Sequence, residues 1–324
     1  MNVRKPRVAV VSACRDELNT NRDLRTHLAE GFAAVCGSEN VLCVSEASAE
    51  RSIPPHEPNL IVVFGTIMPD DVDLRTFRRL ADRCGAHLCV WVHDDPYELD
   101  TGYRASAVAD TIFTNDSGAV DFYRHPACFH LPLAASPTAH FRELGERFVC
   151  DLFFCGYGYA NRIALFNDLR GDLQPYRTLV LGDAWPGDDA LFSNRRISKE
   201  LLVDFYALSR CTISIGRNYD IGNARYELAS STPGPRTFEA AMSGCAQLHF
   251  VTGFEICDYF EPDSEILLFD SPADFSAQIR TLVENPPRLA SIRKAAQARA
   301  LRDHTYANRA ATILAKTLGV TVRP

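Results

Sequence analysis

Arg236-Thr237-Phe238-Glu239 stands directly behind Pro233-Gly234-Pro235. The proline–glycine turn sets the start of a helix, so Arg236 and Glu239 fall in its first turn. The positive end of a helix suits a diphosphate, and a guanidinium beside it adds charge. A carboxylate there suits a ribose diol, as in other nucleotide sites. An acid that merely favours a helix start, with a surface arginine, gives the same pattern, and local physics leaves both open. A second stretch, Phe154-Cys155-Gly156-Tyr157-Gly158 followed by Asn161-Arg162, is a glycine-containing strand-to-helix turn. Gly156 and Gly158 allow close backbone approach, the helix start favours an anion, and Arg162 can pair bidentately with a diphosphate. Tight turns use glycines too, so this signal is weak alone. A third is His93-Asp94-Asp95-Pro96. Either it is a polar turn with Asp95 as a cap, or His93 and Asp94 touch a sugar or an acceptor. Asp71-Val72-Asp73 has the D-x-D spacing of metal-dependent sugar transferases. It precedes Leu74, Phe77 and Leu80, and a helix N-terminal turn explains both acids without a metal.

These residues sit at the ends of short apolar runs. The runs at 7–13, 41–45, 60–64, 88–92, 111–114 and 128–131 read as strands, with amphipathic stretches between them. A linker is expected across 132–146, where two prolines and several charges interrupt the rhythm. Strands then recur at 148–155, 178–181, 211–215, 246–250 and 266–269. Ser271-Pro272-Ala273-Asp274 is a strong helix start, and the remainder reads as helix broken near 285–287 and 304–305. Strands apolar on both faces imply parallel sheets covered by helices. The expectation is therefore an α/β chain of two Rossmann-like domains facing a cleft, spanning 1–140 and 147–304, with the terminal helix 305–324 able to cross back to the first. Ligands of such sheets bind at the carboxyl ends of the strands. Arg217, just after the 211–215 strand, joins the donor-side candidates on that ground.

Composition narrows the partners. The 324 residues carry a formal charge of −7, with 15 Lys and Arg against 21 Asp and Glu in 1–147, and 19 against 20 beyond. An acidic surface repels polynucleotides and anionic lipid, so neither is expected as a partner. The 11 cysteines include no C-x-x-C pair, and Cys43, Cys89, Cys128 and Cys211 read as small buried hydrophobes. No apolar run approaches a membrane span or a signal segment, and a reducing cytoplasm fits.

The order of motifs carries a resemblance. The run 236–246, then Gly253-Phe254-Glu255, Tyr259-Phe260-Glu261-Pro262, Leu268-Phe269-Asp270 and His304-Thr305-Tyr306-Ala307-Asn308-Arg309, resembles the spore-maturation (CgeB-like) branch of the group 1 glycosyltransferases. Phe154-Cys155-Gly156 with Arg162 and Val90–Pro96 are similar to matching segments of that branch. The resemblance implies the B-type glycosyltransferase fold and a nucleotide-diphosphate sugar donor, such as a UDP-sugar, used as substrate with no cofactor. It also implies metal independence and retention at the anomeric carbon. It places Glu239 at the ribose, Arg162 at the diphosphate and His93 near the donor sugar, with Gly156, Gly158, Arg217, Arg236, Thr237 and Phe238 around them. Many group 1 enzymes carry a second glutamate eight residues before the first; here that position is Ser231. A nucleotide-sugar epimerase on the same fold and a non-catalytic nucleotide-binding homologue stay open as alternatives.

Overall fold

A computed structural model describes residues 5–17, 22–68, 71–218 and 221–324. The chain divides into two compact units. One comprises Met1–Leu133, Asp220–Thr232 and Thr305–Pro324; the other comprises Ala134–Tyr219 and Pro233–His304.

In the first unit the chain runs β1 (Val8–Ser12), α1 (Arg22–Cys36), β2 (Val41–Val44), α2 (Glu46–His56), β3 (Leu60–Gly65), α3 (Arg75–Cys84), β4 (His87–Val92), α4 (Tyr103–Ser106), β5 (Thr111–Thr114) and β6 (Cys128–His130). The strands form one sheet ordered β2-β1-β3-β4-β5-β6, every pair parallel. Strands β1, β3 and β5 are buried end to end, as runs such as Leu60–Gly65 require. Edge strand β2 is looser, and Cys43 on it is exposed, contrary to its reading as a buried thiol. Cys89 and Cys211 are buried and Cys128 is half-buried.

The second unit contains α5 (Pro137–His140), β7 (Cys150–Tyr157), α6 (Ala160–Asp168), α7 (Arg170–Leu173), β8 (Thr178–Asp183), β9 (Phe192–Ser193), α8 (Lys199–Ala207), β10 (Ser209–Ser214), α9 (Pro235–Met242), β11 (Ala246–Phe250), α10 (Ile256–Tyr259), β12 (Leu267–Phe269), α11 (Pro272–Glu284) and α12 (Pro286–Asp303). Its sheet is ordered β12-β11-β10-β7-β8-β9, again with every pair parallel. The two-residue strand β9 has no counterpart in the sequence reading. Ser271 caps α11 as its type and spacing predict, its Oγ accepting from Asp274 N at 3.2 Å.

Distant segments are joined within each unit. The last helix, α13 (Tyr306–Leu318), lies against α1 in the first unit. A Cβ on Gly31 of α1 would lie 2.4 Å from the Tyr306 carbonyl carbon, so only glycine permits this approach. Arg309 on α13, buried, donates from Nε to Pro132 O at 2.7 Å and from Nη2 to Leu133 O at 3.0 Å. Residues 221–232, which the sequence reading left in the C-terminal domain, also pack in the first unit. Buried Asp116 there accepts from Ser231 N at 2.8 Å and Thr232 N at 3.1 Å through one carboxylate oxygen. The expected linker is not featureless either: it carries α5, and the boundary falls after Leu133 rather than at 140. In the second unit, buried Arg293 donates to the carbonyls of Gly244, Gly145 and Ala207, at 2.5, 2.8 and 3.2 Å.

Replacing Arg309 strands two backbone carbonyls, that of half-buried Pro132 and that of buried Leu133. Arg309→Met is expected to cost about 2–4 kcal/mol, read as a lower urea midpoint, whereas Arg323→Met on the exposed tail leaves the midpoint unchanged. Equal midpoints for both variants would refute the clamp.

Candidate functional site

The sheet of the second unit reverses its direction of growth between β7 and β10: β8 and β9 build outward from one, β11 and β12 from the other. The crevice outside the carboxyl ends of such a strand pair is the usual ligand position in an open α/β sheet. Arg162, in the first turn of α6, spans this point. Its Nη1 donates to Tyr157 O at 3.1 Å behind β7, while Nε and Nη2 donate to Gly216 O at 3.2 Å and Ile215 O at 3.3 Å behind β10. Its guanidinium also lies over the rings of Tyr159 and Phe154, at 5.1 and 5.5 Å. Arg162 is thus a clamp on two loops as well as a positive charge at the switch point.

The neighbouring glycines answer to packing. A Cβ on Gly158 would stand 2.6 Å from Ala184 O, and one on Gly156 would meet Arg162 Nη1 at 2.9 Å. Close approach of β8's loop therefore accounts for Gly158 without a phosphate. Arg217 is half-buried one residue beyond Gly216.

Helix α9 begins with Gly234 as cap and Pro235 in its first turn, which pre-sets the backbone for a helix. It presents two faces. Phe238 points into the core, fully buried, with its ring edge-on to Tyr259 at 5.5 Å and beside Phe260 and His304. It is a packing residue, not the ligand contact expected of it. Thr237, also buried, bonds through Oγ1 to Ser214 Oγ at 3.0 Å, and Ser214 in turn meets His249 Nδ1 at 3.1 Å. Burial lowers the His249 pKa to about 4, so this imidazole is neutral near pH 7. The ends of β10, β11 and α9 are tied together by that chain of side chains.

Glu239 is on the other face. Its side chain is only 5% exposed, and Oε2 accepts from Arg236 Nη1 at 2.5 Å. Arg236 is itself half-exposed, at 51% of its side chain. The other oxygen, Oε1, lies 3.7 Å from His140 Nε2 on α5. Ser243 Oγ reaches both His140 O, at 3.0 Å, and Glu239 O, at 2.7 Å, fastening α5 to the end of α9. Burial and the nearby Glu239 raise the phenol of Tyr206, and Arg236 offsets this in part, so Tyr206 stays neutral. The sequence reading singled out Arg236 and Glu239 but passed over His140, Tyr206, Ser214 and His249.

His93 and Asp94 stand in the first unit, at the carboxyl end of β4. His93 is buried, its ring edge-on to Phe64 at 5.3 Å, and Asp94 is half-buried. The sequence reading missed the weight of their neighbours. Asp95 is not an exposed cap: it is buried, and its Oδ2 accepts from Thr114 Oγ1 and Tyr123 OH, both at 2.6 Å. Glu98, fully buried, accepts from Thr66 Oγ1 and from the N–H groups of Ile67 at 3.0 Å and Met68 at 2.9 Å. Burial raises the pKa of both acids; the charges of Asp94 and Asp95 raise that of Glu98 further, and Asp95 reaches about 6. Asp71 meets Arg15, its Oδ2 3.6 Å from Nε, while Asp73 accepts from Arg75 N at 3.0 Å at the start of α3. No three His, Cys, Asp or Glu side chains among the described residues are grouped to hold a metal ion. No helix among them is long and apolar enough to cross a membrane.

The deciding observation is that α9 and the β10–β11 ends lie in a segment that a known family shares. Residues 162–315 match the family model described as Glycosyl transferase-like. The chain resembles the group 1 glycosyltransferases. A curated relative, the spore protein CgeB of Bacillus subtilis, is 26% identical over 100 residues, which is 30% of this chain and 31% of that protein. The chain thus matches about a third of the relative's length. Solved structures agree in fold at low identity. Anabaena HepE, determined in complex with UDP-glucose, superposes with a TM-score of 0.58 at 11% identity, over 95% of this chain and 99% of that one. Sucrose-phosphate synthase of Thermosynechococcus elongatus gives 0.58 at 11%, covering 94% and 96%. A putative UDP-N-acetylglucosamine 2-epimerase of Listeria monocytogenes gives 0.52 at 10%, covering 96% of both chains. Two all-parallel six-stranded sheets, one in each unit, form the α/β architecture of the B-type glycosyltransferase fold, as expected from the sequence.

The raised pKa of Asp95 makes a pH prediction. A carboxyl group with its pKa raised in the folded state stabilises fully below its unfolded value of 3.8, and that contribution is lost as pH climbs through about 6. The change is worth on the order of 3 kcal/mol. Asp95→Asn, which keeps an acceptor for Thr114 and Tyr123, is expected to match the native protein near pH 4 and to be the more stable at pH 7. Parallel stability curves over this range would refute the assignment.

Proposed function

We propose that this chain transfers a sugar from a nucleoside-diphosphate sugar, a UDP-sugar in particular, to a hydroxyl acceptor. The observation that carries this reading is the Arg236–Glu239 pair at the start of α9, beside the β7–β10 switch point and inside the segment matched by the Glycosyl transferase-like model. Neighbours of the same fold that carry UDP-glucose in their structures support the choice of donor.

In this reading the diphosphate lies between Arg162 and the start of α9, with Arg236 turning from Glu239 toward phosphate and Arg217 adding charge. Glu239 then accepts from the ribose hydroxyls. The anomeric carbon–oxygen bond to the β-phosphate breaks as the acceptor oxygen bonds to that carbon, and the acceptor proton passes to the leaving diphosphate. Charge grows on that diphosphate, and preorganised guanidinium groups and helix dipole stabilise it. They supply what a divalent cation supplies elsewhere, so we propose a metal-independent reaction. Attack on the face the diphosphate leaves requires no protein nucleophile and retains the anomeric configuration. His93 and Asp94 are the proposed acceptor-side residues, with Asp94 the more accessible of the two.

The test is binding, then turnover. UDP is expected to raise the melting temperature by several degrees through binding linkage. Arg162→Ala and Glu239→Ala should each weaken UDP at least tenfold, or about 1.4 kcal/mol, in calorimetry. Unchanged affinity in both variants sinks the placement. Release of UDP that depends on an added acceptor and survives a chelator supports metal-independent transfer. Interconversion of the donor sugar without an acceptor favours the epimerase reading instead, and binding without turnover the non-catalytic one.

A further inference from the structure

We infer that His140 is a positioning residue for Glu239, setting the carboxylate that recognises the ribose of the donor. The inference rests on the donor-site reading above and adds to it a residue from outside the helix that carries the site.

The imidazole is fixed from both sides. On its own turn, Ser136 N donates to His140 Nδ1 at 2.9 Å, and His140 N donates to Ser136 O at 2.8 Å. An Nδ1 that accepts an N–H carries a lone pair, so the neutral ring holds its proton on Nε2. Nε2 is the nitrogen that faces Glu239, at 3.7 Å from Oε1, with both side chains less than a tenth exposed. At the other side, Ser243 Oγ bonds His140 O, so α5 cannot slide along α9. The segment thus holds an N–H beside one oxygen of a buried carboxylate whose other oxygen is bonded to Arg236.

That division of the two oxygens matters when a ligand arrives. Arg236 is half-exposed and long, and it is the partner that a diphosphate draws away. His140 is enclosed and locked. Its Nε2 stays beside one carboxylate oxygen while ribose hydroxyls replace Arg236 as donors. A merely structural histidine contributes to stability alone; a positioning one also controls discrimination between ribose and deoxyribose.

The experiment uses the full chain and measures calorimetric Kd for UDP, 2′-deoxy-UDP and 3′-deoxy-UDP, with melting temperature read alongside. The native protein is expected to prefer UDP over at least one deoxy analogue by about tenfold, the scale of one lost hydrogen bond to a charged group. In His140→Ala that ratio falls to within about twofold, and in His140→Gln, which restores an N–H near the Nε2 position, it recovers. His140→Phe keeps the ring volume without the N–H; it is expected to behave as the alanine variant does, and it decides the matter if His140→Ala does not fold. A ratio that survives in folded His140→Ala or His140→Phe overturns the role of His140 alone. A native protein indifferent to the ribose hydroxyls overturns the donor-site reading, and this inference with it.

Discussion

Guanidinium groups bonded to backbone carbonyls hold this chain together where its regular structure stops. A helix or strand satisfies its own backbone; a chain that leaves one sheet and enters another does not, and buried carbonyls without partners are costly. Arg309 reaches two carbonyls in the first unit, and Arg293 three in the second, in buried and part-buried settings. Nearer the surface, Arg162 joins carbonyls at the ends of β7 and β10. Arginine suits the task because its planar fork carries five donors and never deprotonates. Lysine, a single point charge, cannot serve three separated oxygens.

The same interaction gives the candidate site its form. Because Arg162 fixes the loops behind β7 and β10, the start of α9 has a rigid surround. The His249–Ser214–Thr237 chain fixes it from the sheet side. What remains adjustable is the half-exposed Arg236, whose partner is the buried Glu239. Two arginines therefore serve this small region differently: one guanidinium is committed to backbone, and the other to a carboxylate.

The two sheets were legible from the sequence because parallel strands buried on both faces are short apolar runs, and such runs need no tertiary information to be seen. The strand at 246–250 falls where the residues put it, and the α11 cap follows from Ser271 and Pro272. Ser136-Pro137 is the same cap-and-proline signal, yet α5 was hidden because it lies in a segment without apolar periodicity. With it went His140, whose meaning depends on Glu239 about a hundred residues away. Phe238 was read as a ligand contact because it stands inside a motif, whereas helical geometry turns it inward, away from its neighbours Arg236 and Glu239. Cys43 was read from an apolar run that proved to be an edge strand. Ser231 was read as the place of a missing acid; it instead belongs to a segment that Asp116 holds in the first unit. Local signals identify elements and caps, but which face a residue takes, and which unit a segment joins, are decided by contacts that no short window contains.

In the proposed donor site, the Glu239 carboxylate makes recognition of the two ends of a nucleotide interdependent. Breaking a fully buried ion pair by removing one partner costs on the order of 3–5 kcal/mol, and less where one partner is half-exposed, as Arg236 is. A free phosphate that draws Arg236 away must meet part of that cost, since it offers Glu239 no donor in return. A nucleoside diphosphate meets it differently: its phosphates take the guanidinium while its ribose hydroxyls take the carboxylate, so neither charge is left alone. The ion pair therefore acts as a filter. Phosphate alone or nucleoside alone offers a partner to one side of the pair, whereas a ligand carrying both groups at the right separation offers one to each.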